Sequence, residues 1–384
     1  MAGYDIVVVG AGVFGSWTAW HLARAGKSVL LLDAWGPGHA RSSSGGESRI
    51  LRMGYGPDAI YTAMAARSLA LWQDLFRRTG QPLFHRTGVL WLARDGDPYS
   101  DATRSTLVNA GVPMEILSPL DIVHRYPQIL LSEAHDHAIF EPEGGALLAR
   151  RAVVAVVEDA MRSGVDYAAE GVVSPAGRGR VASLRTLSGQ PVPAAVFVFA
   201  CGPWLPKLFP ELLGERIRPS RQEVFFFAPP AGDRRFAPPH LPVWIDFTEP
   251  RGPYGFPDLE SRGFKLAFDR HGVAFDPDSG DRRIGDESVA EAREFLAERF
   301  PALAGAPLTE CRVCQYENTS NGDFLIDRHP DFENVWLVGG GSGHGFKHGP
   351  GVGEYASVRI LTGGSVDPRF SLATKGQSED RKVY

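Results

Sequence analysis

The feature that most constrains the fold is a glycine-rich turn close to the N-terminus, set between an apolar run and a helical pattern. The apolar run covers residues 6–9, and three glycines follow it: Gly10, Gly12 and Gly15. An apolar-periodic helix is expected over about 14–25, and a second strand over 29–32 ends at Asp33. A strand, a helix and a second strand within this length predict a βαβ unit.

The glycines and the acid have separate roles in such a unit. The first glycine makes the tight turn, the second lets the backbone approach a pyrophosphate, and the third lets helix and strand pack closely. The helix N-terminus offers N–H groups to the phosphates. Asp33 follows Gly10 by 23 residues (33 − 10 = 23), where an acid bonds ribose hydroxyls. The unit therefore predicts a dinucleotide site built from Gly10, Gly12, Val13, Phe14, Gly15, Asp33 and Ala34.

A second glycine-rich segment near the C-terminus favours FAD over NAD. A strand over 335–338 is followed by a glycine loop over 339–345 and by a helix from about 350. A flavin ring lies far from its adenine, so FAD needs a second anchoring segment. Residues 339–351 fit that role.

The middle of the chain has a different amino-acid composition and pattern. Residues 220–314 are rich in proline, phenylalanine and short strands, which predicts a mostly antiparallel sheet that covers a pocket. The expected fold class is α/β plus α+β, a Rossmann-like FAD-binding domain with an interleaved substrate domain on a large mixed or antiparallel β-sheet. Long helices are expected over about 58–79 and 145–163. The expected cofactor domain comprises 1–84, 145–220 and 315–370, the substrate domain comprises 85–144 and 221–314, and 371–384 is a polar, frayed tail.

Charge and composition exclude several classes of protein. A net charge of −5 gives no basic excess for binding nucleic acid or an anionic membrane. No apolar stretch approaches the roughly 18 residues of a membrane helix, and the N-terminus does not read as a signal peptide. Three cysteines cannot form a disulfide framework, which favours a reducing, cytoplasmic location. A monomer is expected.

Several further motifs carry a specific resemblance. The most specific is Gly341 to Lys347, followed by Gly351 to Glu354. The others, in chain order, are 48–52 with 55–56, 141–145, 254–257, 264–266 and 323–327. With these motifs the chain resembles the monomeric sarcosine oxidase and N-methyltryptophan oxidase group of D-amino-acid-oxidase-like flavoproteins, over nearly its whole length.

The resemblance implies a reaction. A secondary or N-substituted amino acid, or a primary one, would be oxidised at its C–N bond to an imine, which hydrolyses in water. The electrons would pass through FAD to O2 and give hydrogen peroxide. No acid–base residue is assigned, because an amine that arrives deprotonated needs none.

The resemblance also assigns roles to Cys314 and Lys265. Cys314 stands where these enzymes attach the flavin through a thioether. An ordinary buried cysteine, a redox pair with Cys311 or half a zinc site are the alternatives. Lys265 matches a lysine over one flavin face, where a fixed ammonium would stabilise the charge that develops as O2 is reduced. A surface lysine is the alternative, but the flanking Phe264, Leu266 and Phe268 favour a pocket.

The remaining site residues follow from the same motifs. Arg52 and Lys347 match the pair that grips the substrate carboxylate, and Tyr254 is expected to line the pocket. Arg49 is expected beside the flavin ring, and His344 is expected to present backbone N–H groups rather than act as a base. The other expected cofactor residues are Ser43, Ser44, Ser48, Val173, Ala200, Gly202, Trp204, Gly341, Gly343, Gly345 and Phe346.

Two positions depart from the family pattern. Ser44-Gly45 stands where the family has a pair of histidines, so Gly45 is expected to open the substrate pocket. Asp269 replaces a second histidine, and a carboxylate there would favour a cationic substrate group. We therefore expect a substrate other than sarcosine, larger or additionally basic.

Three rival functions remain. A flavin dehydrogenase would pass its electrons to an acceptor other than O2. A non-catalytic or tRNA-modifying flavin protein is the second rival, and the net charge argues against RNA binding. An NAD-dependent dehydrogenase is disfavoured by the C-terminal glycine loop.

Overall fold

The computed structural model describes residues 3–377, 381 and 383. Within these residues the α-helices are α1 (Val13–Arg24), α2 (Ala59–Thr79), α3 (Pro98–Asn109), α4 (Pro119–Arg125), α5 (Ala149–Arg162), α6 (Leu205–Leu208), α7 (Pro210–Leu213), α8 (Asp286–Arg299) and α9 (Gly349–Thr362). The strands are β1 (Tyr4–Val9), β2 (Val29–Leu32), β3 (Arg49–Leu51), β4 (Phe84–His85), β5 (Val89–Ala93), β6 (Glu115–Leu117), β7 (His137–Glu141), β8 (Gly145–Leu147), β9 (Val165–Ala168), β10 (Val172–Val173), β11 (Ser183–Thr186), β12 (Pro191–Phe199), β13 (Ile217–Phe227), β14 (Val243–Asp246), β15 (Pro253–Phe256), β16 (Phe264–Phe268), β17 (Leu308–Thr319), β18 (Leu325–Arg328) and β19 (Val335–Gly339).

The first large sheet is the mainly parallel sheet that the glycine-rich turn predicts. Its strands lie in the order β10-β11-β12-β1-β2-β9, and β19 pairs with β12 and with β18. The pairs between β12, β1, β2 and β9 are parallel. Helix α1 packs against α5 and α9, which covers the sheet with helices as a parallel sheet requires. The βαβ prediction for β1, α1 and β2 is confirmed.

The second large sheet has the order β17-β13-β16-β15-β14-β5-β7-β6. All its pairs are antiparallel except β14 with β5, so the sheet is mixed. A small third sheet joins β3, β8 and β4. Two large sheets, one mainly parallel and one mixed, confirm the predicted fold class. The first sheet falls within the segments assigned to the cofactor domain, while β13 and β17 cross the proposed boundaries, so the division into domains stays a prediction.

The structure corrects three local predictions. The helix predicted over 145–163 begins only at Ala149, because residues 145–147 pair with β3 and β4 as strand β8. The segment 221–314 contains helix α8 besides its strands. The tail is not frayed where it is described, since Lys375 and Val383 are 1% and 0% exposed. The rest of that prediction, at 378–380, 382 and 384, lies outside the described residues. In the part of the chain that the structure describes, no helix has the length and apolar content needed to cross a membrane.

Candidate functional site

The glycine turn between β1 and α1 is packed too closely for side chains. Gly10 has a φ of +105°, and a Cβ on Gly15 would lie 1.9 Å from the Gly10 carbonyl oxygen. Gly12 stands at the N-cap of α1 without a side-chain cap. The Val13 N–H donates to the Ser44 Oγ at 3.1 Å, and the N-terminus of α1 points to the space in front of the turn.

Asp33 ties the end of β2 to this turn. Its Oδ2 accepts from the Ala11 N–H at 2.7 Å, and its Oδ1 accepts from the N–H groups of Trp35 and Gly36 at 2.8 and 2.7 Å. The carboxylate lines the cavity in front of the turn. The acid therefore shapes the turn, besides being placed to meet a ligand.

A cavity of about 370 Å³ lies in front of the glycine turn. Of the residues predicted to bind the cofactor, it is lined by Gly10, Gly12, Val13, Phe14, Asp33, Ala34, Ser43, Ser44, Arg49, Ala200, Gly202, Trp204, Gly341, Gly343, Gly345 and Phe346. Gly15 lies behind the turn rather than on the cavity wall. Val173 does not line the cavity either, because its side chain is on the outer face of β10 and is 47% exposed, whereas its neighbour Val172 does.

A smaller chamber of about 90 Å³ adjoins this cavity. Arg49, Tyr316, Gly343 and Phe346 line both, so the two spaces share a wall. The other predicted site residues on the chamber wall are Ser48, Arg52, Tyr254, Lys265, Asp269, Cys314, His344 and Lys347. Residues from distant parts of the sequence therefore meet around one small space.

Lys265 points into the protein and not into solvent. It lies on β16 and is 4% exposed, and its Nζ donates to the carbonyl oxygen and the Oγ of Ser48 at 3.1 and 3.2 Å. The Nζ also lies 4.4 Å from the centre of the Phe256 ring. Burial, followed by the positive charge of Arg49, lowers the pKa of Lys265 well below its usual value. The alternative of a surface lysine is excluded.

Arg52 and Lys347 approach the same aromatic ring. The Arg52 guanidinium lies 4.3 Å from the ring centre of Tyr55 and 4.7 Å from that of Trp91, and it donates to the Gly54 carbonyl. The Lys347 Nζ lies 5.0 Å from the Tyr55 ring centre and donates to the His344 carbonyl at 3.0 Å. Burial lowers the pKa of Lys347 well below its usual value, and Arg52 lowers it further. Two basic groups thus converge on one end of the chamber.

Tyr254 and Asp269 lie on another wall. Asp269 accepts a hydrogen bond from the Tyr316 hydroxyl at 3.0 Å, so its carboxylate is already engaged by the protein. Burial, together with the charge of Asp269, raises the pKa of Tyr254 to about 12. Tyr254 is therefore a neutral donor at ordinary pH.

Gly45 does not line the chamber, so its assignment to the substrate pocket is wrong. A Cβ at this position would lie 1.9 Å from the carbonyl oxygen of His39. The Gly45 carbonyl accepts from Arg150 at 3.1 Å. The loop 41–46 is thus packed around a residue that has no space for a side chain.

Cys311 and Cys314 lie on opposite faces of one strand. They are three residues apart on β17, so their side chains leave opposite faces, and Cys311 is exposed. The Cys314 Sγ lies 3.3 Å from the Arg49 Nη2. A disulfide between the two, or a metal ion shared by them, does not fit this strand.

The ring of His344 is fully engaged by the protein. Its Nδ1 lies 3.2 Å from the Tyr55 hydroxyl and its Nε2 lies 2.9 Å from the Gly322 carbonyl oxygen. Burial lowers the pKa of His344 well below its usual value. The imidazole is therefore a structural bridge rather than a base. The backbone N–H of His344 donates to the Gly341 carbonyl at 2.9 Å, so its predicted service to the cofactor is not supported.

Two buried polar atoms on the cavity wall suit a ligand rich in oxygen. The Ser43 Oγ and the Glu317 Oε2 have no hydrogen-bond partner within the described part of the chain. Buried polar groups are normally hydrogen-bonded. Phosphate oxygens could accept from Ser43 and polyol hydroxyls could donate to Glu317, so the wall fits FAD.

The sequence reasoning missed Glu317 and Arg381. Glu317 lies three residues from Cys314 on β17, so its side chain leaves the opposite face of the strand, and it lines the larger cavity. Strand alternation counted from Cys314 does not reveal this. Arg381 lines the chamber although it is remote in sequence from every motif, and no local pattern indicates this.

Glu317 makes a testable contribution to stability. Burial raises the pKa of its carboxyl from 4.5 to about 7. A raised pKa stabilises the fold below pH 4.5, and this stabilisation is lost as the pH rises to about 7. In the flavin-free protein, we expect the free energy of unfolding of Glu317→Gln, relative to wild type, to rise by roughly 2 kcal/mol between pH 5 and pH 7. Urea unfolding measures this, with the exposed Glu333→Gln as the matched control variant.

Comparison with known proteins now identifies relatives. The family model "FAD dependent oxidoreductase" matches residues 5–359. A monomeric sarcosine oxidase from Bacillus sp. (strain B-0618) is 33% identical over 375 residues, which cover 94% of this chain and 93% of the relative. An N-methyl-L-tryptophan oxidase from Yersinia pestis (strain Pestoides F) is 28% identical over 360 residues, 92% of this chain and 94% of the relative.

Solved structures share the fold. The L-proline dehydrogenase from P. horikoshii has a TM-score of 0.82 at 20% identity, covering 96% of this chain and 97% of that one. The amino acid oxidase NikD has a TM-score of 0.77 at 22% identity, covering 97% and 98%. At these identities the likeness concerns the fold alone.

Proposed function

We propose, from the premise that the chain belongs to the FAD dependent oxidoreductase family, that it oxidises the C–N bond of an amino acid to an imine and reduces O2 to hydrogen peroxide. One observation carries the proposal. Lys265, Cys314, Arg52 and Lys347, from four separate segments, line one small chamber beside the larger cavity. The relatives named as sarcosine and N-methyl-L-tryptophan oxidases support an N-substituted amino acid as the substrate.

Each group of residues has a task in this proposal. FAD, when bound, supplies the two-electron acceptor. The glycine turn, Asp33 and the loop 339–346 hold it, because their backbone groups line the larger cavity. Arg52 and Lys347 bind the substrate carboxylate and thereby orient the amine. The chamber is walled by apolar and aromatic side chains such as Ile245 and Phe256, which limit the access of water.

In this proposal Lys265 promotes the reaction of the reduced flavin with O2. Its Nζ is held by Ser48, so it is preorganised rather than mobile. A preorganised cation stabilises the negative charge that develops as O2 takes up electrons. This role is what separates an oxidase from a dehydrogenase of the same fold.

A screen of amines tests the reaction. N-methyl, cyclic, glycated and ordinary amino acids are offered to the purified enzyme in air, and the release of peroxide is measured. We expect peroxide in proportion to substrate consumed. Reduction of an artificial acceptor without peroxide would contradict the oxygen step. A flavin that no amine bleaches would contradict the whole proposal.

The flavin is proposed to be covalently bound to Cys314. We expect wild-type flavin to stay with the protein after acid precipitation, and flavin of Cys314→Ser to pass almost entirely into the supernatant, because the variant lacks the thioether sulfur. The matched control is Cys311→Ser, which removes a thiol from the exposed face of the same strand and should retain the flavin. Retention in Cys314→Ser would rule out this attachment.

We also propose a cytoplasmic monomer. The three cysteines are all free, as is usual in a reducing compartment. Light scattering of the purified protein should give the mass of one 41.7 kDa chain, and a stable dimer would contradict this.

A further inference from the structure

The C-terminal tail contributes a side chain to the substrate chamber. Arg381 lies on the chamber wall. Its Nη2 donates to the Ser342 carbonyl at 3.0 Å, and its Nη1 lies 3.1 Å from the His271 Nδ1. Val383, two residues further on, is completely buried against the main core. Arg381 is therefore fixed between the glycine loop and the sheet that covers the chamber.

The chamber wall is strongly positive. Among the described residues that line it, the basic side chains are Arg49, Arg52, Lys265, Lys347 and Arg381, and the only carboxylate is Asp269. Guanidinium groups stay charged at any physiological pH. Asp269 is engaged by the Tyr316 hydroxyl. A ligand with net negative charge suits this wall better than a basic one.

Arg381 lines the same chamber as Arg52 and His344. The charges of both arginines add to burial in lowering the pKa of His344. Arg52 and Lys347 suffice for one carboxylate. A further guanidinium, whose five N–H donors can hold protein acceptors and a ligand together, fits a second anionic group.

We propose that Arg381 is a specificity-determining residue that selects amino-acid substrates carrying a second acidic group. The inference rests on the proposed amino-acid oxidation. It reverses the expectation, drawn from Asp269 alone, that the substrate is additionally basic. The reason is that the tail brings a fixed positive charge to the same chamber.

Equilibrium binding to the oxidised enzyme tests this without turnover. Succinate and butyrate have four carbons each and differ in one carboxylate. Calorimetry should show succinate binding at least about tenfold more tightly than butyrate in wild type. In Arg381→Ala the Kd for succinate should rise about 10- to 100-fold, and that for butyrate about threefold at most.

Three variants and a substrate comparison complete the test. Arg381→Lys should retain part of the preference, Arg381→Gln should lose it while keeping a polar side chain in place, and the exposed Arg185→Ala should match wild type. Wild type should oxidise N-methyl-L-aspartate with a higher kcat/KM than N-methyl-L-alanine or N-methyl-L-lysine. Equal losses for both acids in Arg381→Ala, no loss, or a wild-type preference for butyrate would overturn the inference. If no amine bleaches the flavin but the enzyme still prefers succinate to butyrate, only the proposed function is contradicted.

Discussion

Lys265→Met is expected to slow the reaction of the reduced enzyme with O2 by about a hundred- to a thousandfold, while anaerobic reduction by substrate changes little. The variant keeps the length and apolar stem of the side chain but lacks its charge and N–H donors. Removing one preorganised donor to a developing anion has effects of this size. Stopped-flow spectroscopy measures the two half-reactions separately.

The pH dependence of the same step follows from the environment of Lys265. Burial and Arg49 lower the pKa of its ammonium, so the charged form is lost at a lower pH than in an exposed lysine. The wild-type rate with O2 should therefore fall as the pH rises through this lowered pKa. The Lys265→Met rate should be flat over the same range.

The control for this prediction is Lys27→Met, which removes an exposed lysine between α1 and β2. Its two half-reactions should match those of wild type. An unchanged rate of reaction with O2 in Lys265→Met would show that Lys265 does not activate O2. The residue would then no longer support the proposal that the protein is an oxidase. The dehydrogenase alternative would then be favoured, and its natural acceptor would have to be sought.

Arg52→Met is expected to weaken the binding of carboxylate substrates by about 30- to 5000-fold. Methionine can still pack between Tyr55 and Trp91, so the change removes mainly the charge. Truncating one member of a buried, hydrogen-bonded charge pair costs about 2–5 kcal/mol, which gives this range. The rise should appear in KM, or in the Kd from anaerobic titration.

Two comparisons separate this prediction from a general folding defect. Arg52→Lys keeps the charge and should recover part of the affinity, though not the two-pronged geometry of a guanidinium. An amine that lacks a carboxylate should bind wild type and Arg52→Met equally well. If its affinity also falls, the variant has damaged the chamber and Arg52 is not specific for the carboxylate.

The sequence determined the fold class and the dinucleotide turn. A turn of this kind depends on contacts within about 30 residues, and the glycines from Gly10 to Gly15 and the acid at Asp33 report those contacts directly. Lys265 and Cys314 were also identified, because short motifs around them resemble those of a known family. Both line one chamber, which agrees with that identification, while their roles remain to be tested.

The tertiary structure decided what surrounds those residues. Gly45 was assigned to the pocket from its position in a motif, yet the carbonyl of His39 occupies the space its side chain would need. Asp269 suggested a basic substrate when taken alone, but five basic side chains line the same chamber. Arg381 reaches the chamber from the tail. Local patterns determine strands, helices and turns, whereas the charge of a chamber is the sum over residues that only long-range packing brings together.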